Sequence, residues 1–61
     1  MKYIITWTID NTMYIQRYTD FFTARAAYMR LSFDTTVNEG WFDEYSADGK
    51  LLQNWFFSHN G

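Results

Sequence analysis

The groups able to transfer a proton, attack a substrate or hold an ion are few in this chain. Its single histidine, His59, stands beside Ser58 near the C-terminus. An imidazole does acid–base work only when neighbours fix its tautomer and orientation, and the tail Ser58-His59-Asn60-Gly61 is expected to fray. His59 therefore reads as a solvated tail residue. Its adjacency to Ser58 carries no weight, because triad members meet in space and not in sequence. Asp43-Glu44 is the one adjacent carboxylate pair. On a strand, successive side chains point to opposite faces, so these two cannot converge on one proton or cation. Glu39 and Asp43 share a face, as do Glu44 and Ser46. The run from Asp43 to Gly49 lacks the alternating acids of a calcium loop. Cysteine is absent, which excludes disulfides and thiolate metal sites. Glycines at 40, 49 and 61 are too sparse for a phosphate-cradling loop. The residues predict no catalytic, metal or cofactor site, and the chain does not read as an enzyme.

Nucleic acid is the next class to weigh. Lys2, Arg17, Arg25, Arg30 and Lys50 are scattered among seven acids, for a net charge of −2. Binding driven by phosphate neutralisation needs a basic stripe. The basic-aromatic-glycine signature of an RNA-recognition sheet is missing as well. Arginine with surface Trp and Tyr still supplies the parts of a single-strand stacking platform, so this reading stands as an alternative, disfavoured by charge.

What must position any surface is a small α+β scaffold. Sixty-one residues lie near the lower limit for independent folding, where a domain buries only about 60% of its unfolded surface. Without disulfides or metal, stability must come from dense packing, and 23% of the residues are aromatic. Around Phe21–Leu31, Ala24, Ala27, Tyr28 and Leu31 recur at helical spacing and predict a helix over about 23–32. Thr23 is the expected N-cap, with Phe22 and Ala27 as a hydrophobic staple and Asp20 as the alternative start. Alternation predicts strands at about 2–10, 12–18, 39–46 and 50–57. Asp10-Asn11 and Asp48-Gly49 are the turn signals. A two-residue Asp10-Asn11 loop pairs Trp7 with Tyr14, whereas a three-residue loop pairs it with Ile15; the shorter loop is favoured. The expected architecture is a ββαββ chain, a single small domain forming a four-stranded, mainly antiparallel sheet with one helix on one face.

One helix cannot cover both faces of such a sheet, yet aromatic residues stand next to each other in Trp41-Phe42 and Trp55-Phe56-Phe57. If Trp41 and Tyr45 point inward, Phe42 points outward. The outward rings are expected among Phe42, Trp55 and Phe56, and the candidate partner-binding set is Trp41, Phe42, Asp43, Glu44, Trp55 and Phe56. Glu39, Asp43, Glu44 and Asp48 are candidates for local phosphate mimicry. On the helix, Phe22, Ala26, Met29 and Phe33 form a second apolar line. Phe22 and Phe33 are expected to lie beyond the helix ends and fold back over the core. Exposed apolar patches mark interfaces, and Trp, Tyr, Phe, Met and Arg are enriched there.

No motif defines a named family. In size, lack of cysteine and aromatic surface, the chain is similar to the small standalone proteins of bacteriophages and mobile elements. That resemblance implies a non-catalytic inhibitor of a host enzyme or defence complex, of anti-CRISPR-like or anti-restriction-like kind. The alternatives are a single-stranded nucleic-acid binder and a ligand-free homodimeric mini-domain. No apolar run approaches the roughly 20 residues of a membrane span, and Met1-Lys2-Tyr3-Ile4-Ile5 enters strand alternation without a signal-peptide pattern. The expected partner is a protein or a second copy, with no membrane, in the cytoplasm.

Overall fold

The computed structural model describes residues 1–59; Asn60 and Gly61, part of the tail expected to fray, lie outside the described residues. Two hairpins flank a helix: β1 (Lys2–Ile9), β2 (Thr12–Tyr18), α1 (Phe21–Phe33), β3 (Glu39–Tyr45) and β4 (Leu51–Ser58). The strands form one open sheet in the order β2-β1-β3-β4, with every neighbouring pair antiparallel. The first strand of each hairpin is thus central, and α1 packs over β1, β3 and β2.

The β1–β2 connection is the two-residue loop. Asp10 and Asn11 have φ of 49° and 67°, the left-handed pair that lets a tight hairpin follow the strand twist. Trp7 stands opposite Tyr14, and their rings stack at 5.6 Å. The Asp10 N–H also donates to Asn38 Oδ1 at 2.9 Å, tying this turn to the residue that precedes β3. In the second hairpin Gly49 takes φ 88°. The Asp48 carboxylate accepts the Ser46 hydroxyl, and the Gly49 N–H donates to the Ser46 carbonyl at 3.0 Å. Gln53 stands opposite Glu44 but Leu51 opposite Tyr45, leaving Leu52 as a bulge residue.

The helix begins earlier than expected. Asp20, not Thr23, is the N-cap: its Oδ2 accepts from the Thr23 N–H and the Thr23 hydroxyl, both at 2.8 Å. Thr23 sits three residues in, where it answers the cap instead of being one. The Phe22–Ala27 staple falls with that reassignment. The early start is favoured because it turns Phe21 onto the sheet, edge-on to Tyr3 at 5.9 Å, to Phe42 at 6.3 Å and to Trp55 at 6.3 Å. At the other end the Asp34 N–H donates to the Leu31 carbonyl at 3.1 Å.

Tyr3, Ile5, Phe42, Ala24 and Tyr28 form the buried core, with Ala27 and Leu31 partly buried beside them, so the helix face read from spacing is the one that packs. Phe42 stacks on Trp55 at 4.4 Å, and Tyr28 lies against Phe42, Trp55 and Phe57 at 5.4–5.7 Å. The alternative with Trp41 and Tyr45 inward does not hold, and of the three rings among which the outward ones are expected, Phe42 and Trp55 face the helix while Phe56 faces away. Gly40, Phe42 and Glu44 are buried, and Trp41, Asp43 and Tyr45 face away from the helix. Charge explains the choice. Turning Trp41 inward would carry both Glu39 and Asp43 under the helix, whereas turning Phe42 inward carries only Glu44.

Two further expectations are corrected. Phe22 and Phe33 do not fold back over the core; both lie inside α1 and are 72% and 79% exposed. His59 is not a free tail residue. Its N–H donates to the Asn38 carbonyl at 2.8 Å, and its ring nitrogens lie 2.8 Å from the carbonyl oxygens of Val37 and Ser32. A doubly protonated ring donates to both carbonyls; a neutral ring donates to one.

Candidate protein-binding surface

The helix-free face is built by the even-numbered residues of β1 and β4 and the odd-numbered residues of β2 and β3. The registers place them in rungs. Ile15, Thr6, Trp41 and Phe56 line up across all four strands. On one side runs Arg17, Ile4, Asp43 and Asn54; on the other runs Met13, Thr8, Glu39 and Ser58. A rung of three apolar side chains and Thr6 is thereby bordered by rungs that mix polar and apolar residues. Ile15, Phe56 and Met13 are exposed by 58%, 52% and 61%, large fractions for apolar side chains on one contiguous patch. Trp41 and Phe56 touch at a centroid distance of 5.5 Å and a 41° tilt. Asn54 donates to the Asp43 carboxylate beside them.

The six candidate residues divide between the two faces. Trp41, Asp43 and Phe56 come together on the open face. Phe42, Glu44 and Trp55 lie on the helix side, where Phe42 is fully buried. Asp43 and Glu44 diverge as the strand period requires. Glu44 is buried and accepts from Gln53 Nε2 at 2.8 Å. It also pairs with the Tyr3 hydroxyl: burial first, then the Glu44 charge and hydrogen bond, push the Tyr3 phenol above its ordinary range. Of the four acids considered for phosphate mimicry, only Glu39 and Asp43 remain on this face. Asp48 is committed to its turn, where the Ser46 hydroxyl holds its carboxyl below the usual range.

Sequence reasoning missed Met13 and Ile15 as members of the surface. The signal was present: once Trp7 faces Tyr14, residues 13 and 15 must lie on the other face, opposite Thr8 and Thr6.

Among the described residues no three His, Cys, Asp or Glu side chains come close enough to hold a metal ion. Both His59 ring nitrogens lie 2.8 Å from main-chain carbonyl oxygens. A surface depression of about 470 Å³ lies between the end of β2 and α1, lined by Tyr18, Phe22, Thr23, Ala26, Ala27 and Arg30. No described helix is long and apolar enough to cross a membrane. Comparison with protein-family models, with curated proteins and with solved structures gives no match.

Proposed function

We propose that this chain is a non-catalytic protein-binding module that acts by laying the helix-free face of its sheet over a functional surface of its partner. The observation that carries the reading is the apolar rung Ile15–Thr6–Trp41–Phe56 on an uncovered sheet face. The surrounding rungs supply Arg17, Asp43 and Glu39 as a charged rim able to fix orientation and select against wrong partners. A single rigid face on a small scaffold suits obstruction better than turnover. Small size, absence of cysteine and aromatic surface support an inhibitor of the bacteriophage type, directed at a host enzyme or defence complex. Its place of action on that reading is the cytoplasm.

Single-stranded nucleic acid is the weaker reading because Glu39 and Asp43 flank Trp41 along its own strand. Phosphates that followed bases stacked on Trp41 would meet two carboxylates there.

The test is capture from a lysate of the source cell on immobilised wild type and on the Trp41→Ser/Phe56→Ser variant. The variant's fold is checked by circular dichroism. A protein retained by the wild type and lost from the folded variant supports the proposal. Titration with single-stranded oligonucleotides at two salt concentrations runs in parallel; salt-sensitive micromolar binding there would replace the protein-binding reading.

A further inference from the structure

The outer surface of α1 carries a second apolar feature, separate from the sheet face and independent of the function proposed for it. Phe22, Ala26, Met29 and Phe33 follow one another at spacings of four, three and four. This is the alternation of a coiled-coil seam, with Phe22 and Met29 at d and Ala26 and Phe33 at a. The buried residues Ala24 and Tyr28 and the partly buried Ala27 and Leu31 occupy b, c and f, so the seam points directly away from the sheet. Phe22, Met29 and Phe33 are 72%, 40% and 79% exposed. A helix apolar on two opposite faces is ordinarily covered on both.

We infer that α1 pairs antiparallel with α1 of a second copy, Phe22 packing on Phe33 of the other chain and Ala26 on its Met29. The seam matches itself in size: large meets large at both ends, and alanine meets a flexible methionine at the centre, where the helices approach most closely. The charges also fit this direction. Thirteen residues from Phe21 to Phe33 contain Arg25 and Arg30 and no acid. Parallel pairing would set each arginine level with its own copy and align the helix dipoles. Antiparallel pairing puts Arg25 nearest the other copy's Ser32 and Arg30 nearest its Thr23, with the dipoles opposed. Two Phe side chains of about 150–250 Å² each, with Met29, Ala26 and the arginine stems, bring the total buried by both copies to roughly 1,000 Å². That is the lower bound of a specific interface, so the dimer forms and dissociates between micromolar and millimolar concentration.

The experiment is sedimentation equilibrium on the full chain across that range. The expected result is a mass rising from 7.4 kDa towards twice that value. Phe22→Ser/Phe33→Ser should stay monomeric with an unchanged circular dichroism spectrum, and Trp41→Ser/Phe56→Ser should still dimerise. Single-cysteine variants then report direction, since the chain has no cysteine of its own. Around the two-fold, residues 26 of the two copies are offset by about 4.5 Å along the axis and residues 33 by about 16 Å. Ala26→Cys should therefore oxidise to a disulfide dimer and Phe33→Cys should not. A monomer at every concentration overturns the inference. So does a dimer lost with Trp41 and Phe56 and kept without Phe22 and Phe33. Equal cross-linking at both positions would show parallel pairing and overturn it too. Monomeric binding of the wild type to phosphatidylcholine/phosphatidylglycerol vesicles, abolished by Phe22→Ser/Phe33→Ser, would assign the seam to a lipid surface instead.

Discussion

Gly40→Ala probes the sheet at its tightest point. Gly40 stands opposite Phe57 on the helix side, and a Cβ built there would lie 2.2 Å from Phe57 Cε2 and 2.5 Å from its Cζ. Carbon contacts settle at about 3.5–4 Å, so the ring must move by more than an ångström. It is not free to do so, because Tyr28 packs on it at 5.4 Å and His59 at 5.2 Å. Overpacking of this kind costs about 1–3 kcal/mol, against a gain of about 0.5–1 kcal/mol from replacing glycine inside a strand. The expected net loss is about 1–2 kcal/mol, a drop in Tm of roughly 5–15 °C for a domain of this size. Urea and thermal unfolding should be run on the wild type, Gly40→Ala, Phe57→Leu and the double variant. Removing the ring tip should make Gly40→Ala neutral or stabilising, giving a coupling of about 1 kcal/mol or more. Purely additive losses, or a Gly40→Ala protein as stable as its parent, would refute the register and face assigned to β3 and β4.

Tyr28→Ala removes the ring that three aromatics share and should cost about 3–5 kcal/mol, whereas the exposed Arg25→Ala should stay within about 0.5 kcal/mol by chemical denaturation; equal effects would mean the wrong helix face is buried. Gly49→Val should lose about 1 kcal/mol or more. Nothing lies within 4 Å of the added Cβ, so the loss reports only the φ of 88°. The pH dependence has two limbs. Hydrogen bonds hold three carboxyls below their ordinary range: the Thr23 N–H for Asp20, the Thr36 hydroxyl for Asp34 and the Ser46 hydroxyl for Asp48. The unfolded chain takes up protons first, so stability is present above about pH 4 and falls as pH drops through the lower folded values. Asp20→Asn should flatten part of that limb. Burial raises Tyr3 and Tyr28, so the folded chain keeps those protons longer, and stability is lost as pH rises above about 10. A Tm profile flat from acid to alkali would contradict both limbs.

The parts of the fold governed by local chemistry were legible in the sequence. Asp10-Asn11 and Asp48-Gly49 fixed their turns because few residues tolerate positive φ, and the first turn then fixed Trp7 opposite Tyr14. The inward face of β3 was also readable in principle, since Glu39 and Asp43 share the parity of Trp41. The large rings of Trp41 and Tyr45 favour the opposite parity, and the two carboxylates outweigh them. The N-cap was a contest between Asp20 and Thr23, two residues with equal claims locally, decided by where Phe21 lands on the sheet. That same shift put Phe22 within the helix, the cap at Asp34 kept Phe33 within it at the other end, and the outer line was left exposed. His59 could not have been placed from sequence, because the carbonyls of Ser32 and Val37 come together only when the loop after α1 meets the end of β4. Of the six candidate residues, Trp41, Asp43 and Phe56 share the open face. Met13 and Ile15, which were not among the six, needed the register of a neighbouring strand.

The proposed binding of protein by the helix-free face is measured by the Kd of a captured partner for wild type and for Phe56→Ser. Phe56 is 52% exposed, so its replacement should leave the Tm within a few degrees. If its ring anchors the interface, the Kd should rise at least tenfold, about 1.4 kcal/mol. An unchanged Kd on a folded variant would show that the partner does not bind this face through Phe56.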